Sequence, residues 1–386
     1  MATGLTNLCP DIYAALDVVS RELTGFIPSV MRDPSADRVA KNQTLRSPYT
    51  AASSGGGDVT AAMSIPSASE KTISNRSLTI SKFRFEPFTW SGEDEYSADQ
   101  GPGSLTIRQD QIAQAMRSLV NQVEADIFSA AYLGASRAYG TAGTTPFASG
   151  VGDSAQIRKI LDDNGAPKSG RSVVIDTTAG ALMRTNTQLT KANESGDNMT
   201  LRDGEILNLN GLSFKESAAV LPVVAGAMTG ALFNGAGAVG DTTITFDTGT
   251  VNTTGIKAGD IVSITGSTGG AQKYVVATGT TSTSGTFTIA APGLLYAVAD
   301  NTAITVIATA TRNVAFSQNA IVLATRLPMT TKGKDLSTAR ELITDPRSGL
   351  VFEVVEWPGA DMVTYHVRLA WGVTVFKPEH TAILLG

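Results

Sequence analysis

KAGDIVSITGSTGG, Lys257 to Gly270, is the stretch that decides how the chain divides. It lies in a block, Val224 to Thr311, whose only charged residues are Asp241, Asp247, Lys257, Asp260, Lys273 and Asp300. Within that block TITF, DIVSITG, QKYVVATG, GTFTIAAP and AITVIATA follow one another at short intervals between Gly or Asn turns. Short alternating runs at regular spacing are the signature of a small barrel or sandwich, because each strand buries one face and needs neighbours to cover it. The block is therefore expected to be an all-β barrel domain, residues 224–311, inserted into a discontinuous α/β domain.

The segments flanking the block differ from it. SLTIRQDQIAQAMRSLVNQVEADIFSAAYLGAS carries Ile112, Met116, Leu119, Val120, Val123 and Ile127 at helical spacing, with Arg108, Gln114, Arg117, Gln122 and Glu124 assigned to the opposite, polar face. Thr106 and Gln109 have capping-box spacing, and Gly134 is a stop signal. Such a helix, about 40 Å long, exceeds the usual globular length and reads as a spine. SAQIRKILDDNGAPKSGRSVVIDTTAGALMRTN then reads as helix, turn, buried strand (Ser172–Ile175) and a second helix capped by Asp176 or Thr177. EILNLNGLSFKESAAVLP gives short strands about a glycine turn. Beyond the block, NVAFSQNAIVLATRLPM is read as a return of helical and mixed character, followed by strands in GLVFEVVEWPG and MVTYHVRLAWGVTVFKPEHTAILLG.

Towards the N-terminus, Ile12, Leu16, Val19 and Leu23 predict a short amphipathic helix between Asp11 and Phe26. Prolines at 28, 34 and 48 suit an extended arm rather than a core element. After AASSGGGDVTAAMSIPSASEKT, the residues Ile80, Phe83, Phe85, Phe88 and Trp90 mark strand faces whose phase slips between Ile80 and Phe83, as a bulge requires. The whole is read as a long two-stranded excursion.

Composition excludes several function classes. The chain has 386 residues, 35 acidic and 30 basic, a formal charge of −5. A dedicated nucleic-acid binder would need to neutralise many phosphates, so only weak contact is expected. One cysteine, Cys9, allows no internal disulfide and has no zinc-type partners nearby. Asp11, Asp17, Arg21 and Glu22 interrupt what would be the apolar core of a signal peptide, and no membrane span or membrane partner is expected.

Catalytic motifs do not stand out. GAGAVG, Gly235 to Gly240, matches the dinucleotide pattern, yet DTTITFD after it is a strand pattern and not the helix a pyrophosphate needs. Only two histidines occur: His366, alternating within TYHVRL, is read as a strand residue, and His380, beside Pro378 and Glu379, as a turn residue. Glu93/Asp94/Glu95 and Asp162/Asp163 are read as solvated acids in polar loops. The aromatic series Phe83–Trp90 has only Lys82 and Arg84 interleaved, which favours packing or subunit contact over base stacking. No catalytic residue, cofactor or metal site is assigned.

Taken in order, these parts resemble the major coat proteins of short-tailed bacteriophages that carry an inserted β-barrel domain in the Hong Kong 97 phage capsid fold. The resemblance rests on SSGGGDVTAAMSIPSASE with FRFEPFTW, on LVNQVEADIFSAAY, and above all on LRDGEILNLNGLSF, IKAGDIVSITG and the closing VRLAWGVTVFKPEHTAILLG. In that family an RDG stretch precedes the insertion, a GD turn opens a barrel strand, and a W-x-G-V/Y-G-V strand with a later P-E closes the chain. One departure is GAMTGALFNGAGAVG before the first barrel strand, short and uncharged where relatives can use a longer polar loop to bridge capsomers.

The resemblance implies an α+β fold divided into an N-terminal helix and arm (1–50), an extended β loop (51–103), a peripheral domain with the spine helix (104–153), an axial α/β domain (154–223), the inserted barrel (224–311) and a return through the axial and peripheral domains (312–386). It implies a non-enzymatic shell subunit that forms pentamers and hexamers, located in the virion and assembled in the host bacterial cytoplasm. Its partners would be copies of itself, a scaffolding protein, a portal, and packaged double-stranded DNA held weakly. Phe83, Arg84, Phe85, Phe88 and Trp90 become candidate loop contacts between subunits, and Arg21, Arg32 and Arg38 candidate arm contacts. The insertion would serve as folding nucleus and surface stabiliser. The alternatives are a phage tail or adhesin protein, a hydrolase dependent on His366 or His380, and a cellular nanocompartment shell.

Overall fold

The stripe from Ile112 to Ile127 forms the buried face of one helix, Ser104–Leu133, 30 residues and about 45 Å long. This computed structural model describes residues 24–50, 73–99, 104–186, 189, 208–330, 335–344 and 349–386. The N-terminal helix expected from Asp11 lies almost wholly outside them, as do the glycine-rich stretch Gly55–Gly57 and the RDG stretch Arg202–Gly204. The long helix begins two residues before Thr106, so Thr106 is helical and not an N-cap. It ends at Leu133, immediately before the stop signal Gly134, and Arg137–Tyr139 leaves as a strand. No helix among the described residues is long and apolar enough to cross a membrane.

A six-stranded sheet covers the apolar face of this helix. Its centre is the strand Met362–Val375, which pairs along one edge with Lys82–Ser91 and along the other with Val351–Pro358 and Ile321–Pro328. Ala339–Thr344 extends the sheet beyond Val351–Pro358, and Met31–Val39 runs parallel to Ile321–Pro328. Strand side chains alternate, so Tyr365, Val367, Leu369 and Trp371 join the helix core while His366 and Arg368 face away. Trp371 Nε1 donates to Asp126 Oδ2 on the helix at 2.8 Å, satisfying a donor that burial would otherwise strand.

The helical return expected after Arg312 does not occur. NVAFSQNAIVLATRLPM forms two strands, Ala310–Ser317 and Ile321–Pro328, separated by one 3₁₀ turn. Val314 and Phe316 join the long-helix core, and Ala315 between them joins the core on the opposite side. A strand buried on both faces loses the polar alternation that distinguishes it from a buried helix.

Ala310–Ser317 belongs to a second, mixed sheet with Thr381–Leu385, Arg137–Tyr139, Arg171–Ile175 and Leu212–Glu216. The helices Gly152–Asp163 and Thr177–Thr185 cover the face bearing Val173 and Ile175. Val174 points through to the long helix. Asp176 caps the second of these helices, accepting Thr178 N at 3.2 Å and Ala179 N at 3.4 Å, as its residue type suggests.

Six short strands close into a barrel in the charge-poor block. Ile261–Gly266 pairs with Ala303–Val306, which pairs with Ala231–Phe233, then Thr243–Asp247, Gly285–Ile289 and Gly270–Thr278, and the last returns to Ile261–Gly266. Ile244, Phe246, Val262, Ile264, Tyr274, Val276, Phe287 and Ile289 fill its interior, each from alternate positions of its strand. Closure leaves no free barrel edge, which a Thr- and Val-rich sequence would otherwise offer for aggregation. The fold is thus a mixed α+β one, mostly strand, with a closed barrel.

Candidate interaction surfaces and their buried anchors

The arm is fixed to the long helix by an acid that sequence pattern places on the wrong face. Glu124 is 3% exposed, and its carboxylate accepts Gly25 N at 2.6 Å, Phe26 N at 2.7 Å, Ile27 N at 3.0 Å and Ser217 Oγ at 2.8 Å. Burial pushes its carboxyl above the ordinary value, and these hydrogen bonds oppose the shift. Gly25 permits the close approach, because a Cβ there would stand 2.7 Å from Glu216 O and 2.8 Å from Val174 Cγ1. A turn of three successive N–H groups wraps the carboxylate, and Phe26 then lies between Phe128, tilted at 6.0 Å, and Phe316, stacked at 6.1 Å.

The strand Lys82–Ser91 carries the aromatic series and pairs along its whole length with the chain's own Met362–Trp371. It follows the antiparallel pair of Thr44–Thr50 with Ile73–Thr79, and the expected phase slip appears as a two-residue break at Ile80 and Ser81. Phe88 stacks on Tyr365 at 5.1 Å, Trp90 Nε1 donates to Gln111 Oε1, and Phe83 packs on the small core of Val39, Leu78 and Ile80. These three rings are spent largely within the chain. Arg84 is exposed and Phe85 is 55% exposed, so they are the members of the series that present a surface.

Beside Phe85 lies a cluster of guanidinium groups on the sheet face away from the helix. Glu353, fully buried, takes Arg38 at 2.6 Å and Arg340 at 2.7 Å on the same oxygen, and Arg340 also reaches Asp335 at 2.8 Å. Arg38 donates further to Pro328 O at 2.8 Å, which fixes the arm strand to the sheet. Arg368 lies over the Trp357 ring at 5.2 Å. The His366 ring stands 4.9 Å from Phe85, and burial followed by Arg368 holds its pKa below the ordinary value. Of the other arm arginines, Arg32 is exposed near Gly349 and Arg21 lies outside the described residues.

The stretch Lys257–Asp260 proves to be the junction between barrel and body. Asp260, 1% exposed, accepts Gly226 N at 3.1 Å and Lys257 N at 2.7 Å, so one carboxylate ties the start of the block to the turn before its central strand. Gly259 has φ +84°, and a Cβ there would stand 2.8 Å from Leu133 Cδ2 at the end of the long helix. Arg312, 1% exposed, donates to Gly259 O and lies 5.5 Å from the Tyr132 ring. Arg137–Ala138 also pairs with Lys273–Tyr274, running the mixed sheet into the barrel wall.

Positions with catalytic potential are occupied otherwise. Asp162, at the end of a helix rather than in a loop, pairs with Arg171 at 2.7 Å, and Asp163 with Arg137 at 3.5 Å, so neither is merely solvated. Glu93, Asp94 and Glu95 open the helix Gly92–Asp99, where Asp94 accepts Ser91 Oγ at 2.7 Å. Gly235–Gly240 runs into the strand Thr243–Asp247. His380 closes a 3₁₀ turn and is buried. A cleft between the aromatic strand and the long helix is lined by Glu86, Phe88, Asp110, Gln111 and Ser118, and Glu86 there is held by Ser118 at 2.9 Å and Gln122 at 3.0 Å. No group of His, Cys, Asp and Glu able to hold a metal occurs among the described residues.

No protein-family model matches the chain, and no curated protein matches it by sequence. Solved structures do. The capsid of the cyanophage P-SCSP1u is similar over 95% of this chain and 88% of its own, with a TM-score of 0.50 and 13% identity. The mature capsid of bacteriophage PhiM1 is similar over 94% of this chain and 87% of its own, with a TM-score of 0.49 and 11% identity. A structure from Mycobacterium phage Che8 is similar over 89% and 85%, with a TM-score of 0.47 and 15% identity. At such identities the likeness to the cyanophage capsid is one of fold.

Proposed function

We propose that the chain is the structural subunit of a virion shell, a major coat protein of the Hong Kong 97 type that forms pentamers and hexamers around double-stranded DNA. The observation that carries this reading is the likeness to the cyanophage capsid at a TM-score of 0.50 over 95% of the chain. The sequence resemblance to coat proteins of short-tailed phages, with an inserted barrel, points the same way.

Physical features are consistent with it. A shell subunit meets copies of itself through non-identical surfaces that close into rings, and an extended arm and loop supply such surfaces. Individual contacts then stay weak, because ordering costs offset most of the area buried, while a closed shell is strong. A net charge of −5 keeps contact with packaged DNA loose. The barrel, tied to the body through Arg312 and through the pairing of Arg137–Ala138 with Lys273–Tyr274, acts as a folding nucleus and outer stabiliser. A scaffolding protein and a portal are the further partners of this reading.

Sedimentation of the purified full-length chain, alone and co-expressed with neighbouring phage genes, tests it. A discrete fast-sedimenting species is expected, with nuclease-protected DNA when packaging genes are supplied. A chain that stays monomeric in every condition would refute the proposal.

A further inference from the structure

We infer that the sheet face around Arg368 receives the acidic helix Gly92–Asp99 of a second copy of this chain. The inference rests on the shell reading above and names the surfaces through which neighbouring copies meet.

The receiving face has the composition of an interaction centre. Arg368 lies over the Trp357 ring at 5.2 Å, stands 3.5 Å from His366 Nδ1, and has no carboxylate within ion-pair distance among the described residues, unlike Arg38 and Arg340, which share Glu353. Trp357 Nε1 is shielded from solvent and has no acceptor. Phe85, 55% exposed, and Leu342, 49% exposed, flank these groups on the same face. An arginine set over an aromatic ring and bordered by exposed apolar side chains is pre-organised for a carboxylate arriving with apolar company. The three guanidinium groups outnumber the two acids of that cluster, Glu353 and Asp335.

The helix Gly92–Asp99, GEDEYSAD, supplies the complementary chemistry: four acidic residues, no base, and Tyr96 standing 70% exposed. Glu93 is exposed as well. Asp94 is engaged in holding Ser91 at the helix start, which leaves Glu93 as the first acid available to a partner. The chain cannot satisfy Arg368 with its own helix. Arg368 pairs in register with Phe85, whereas the helix begins after Ser91, opposite Met362; six strand positions separate them, about 20 Å. Two complementary patches at different places on one surface make a head-to-tail contact, the kind that generates rings of copies.

Charge exchange tests this in the full-length chain. Arg368→Glu and Glu93→Arg should each raise the protein concentration at half-assembly about tenfold, and the double variant should return it towards the unaltered value. Glu93 is exposed, so its variant reports even if Arg368→Glu perturbs folding. Independently, Phe85→Cys with Tyr96→Cys in a Cys9→Ser background should give a ladder of covalent multimers when assemblies are oxidised, since within one chain those positions are too far apart for a disulfide. Assembly that is indifferent to both charge reversals, a double variant no better than the singles, or oxidised assemblies without a ladder would overturn the inference while leaving the shell reading intact. Absence of assembly by the unaltered chain would overturn both.

Discussion

Glu124 accepts the backbone N–H of Phe26 at 2.7 Å across 98 positions of sequence, and this contact anchors the arm to the long helix. Glu124→Ala leaves three N–H groups of the turn and the Ser217 hydroxyl without their acceptor in a buried site. A loss of about 3 kcal/mol is expected, read from denaturant midpoints at constant slope. Glu124→Gln keeps an acceptor but turns an amide N–H towards backbone donors, so it should cost less than Ala and more than a surface change. A Glu124→Ala variant as stable as the parent would show that the arm is held by its apolar residues alone.

Asp260 is expected to control the barrel junction. Removing its carboxylate frees Gly226 N and Lys257 N together, so Asp260→Ala should raise hydrogen exchange at 226–228 and 257–260 while the six-stranded sheet stays protected. Gly259→Ala adds left-handed backbone strain to a clash with Leu133 and should loosen the same segment. Uniform loss of protection across the chain would mean that barrel and body unfold as one unit.

The barrel has its own closed strand order and its own core, so residues 224–311 expressed alone are predicted to fold. Dispersed amide resonances and a cooperative thermal transition are the expected signs. Phe246→Ala, which empties a fully buried ring site against Phe287 at 5.7 Å, should destabilise that fragment by about 4 kcal/mol. A fragment without a cooperative transition would contradict the proposed role of the barrel as a folding nucleus.

His380 predicts a pH dependence. Burial, then Lys377, holds its pKa below the ordinary value of 6.5, so the folded state binds its proton less readily than the unfolded one. Its contribution to stability is present above that ordinary value and is lost as pH falls through the lowered one. Glu124 has the opposite sign: its raised pKa favours the fold at low pH and that contribution is lost as pH rises through the raised value. Between pH 7 and pH 5 the parent chain should therefore lose more melting temperature, or gain less, than His380→Gln, which lacks the His380 contribution while keeping that of Glu124. An unchanged slope in that variant would assign the dependence to other groups.

Legibility in the sequence followed the range of the interactions. The helix stripe Ile112–Ile127, the cap at Asp176 and the alternating barrel runs such as TITF depend on near neighbours, so their periods appear directly in the chain. Glu124 did not, because its partners on the arm are brought to it only by tertiary folding, and among helix positions it is simply another acid. The strand Ile321–Pro328 looked helical because both its faces are buried. Lys82–Ser91 read correctly as a strand, yet its partner Met362–Trp371 is nearly three hundred residues away, so which rings stay within the chain and which reach the surface could not be told. Pairing of Arg38 with Glu353 was hidden for the same reason.

Electron microscopy of the purified full-length chain, with and without co-expressed scaffolding candidates, tests the central claim most directly. The account predicts closed particles of uniform diameter whose subunits each carry the barrel as a projecting lobe. Stable monomers, or open tubes and fibres under every condition, would contradict it.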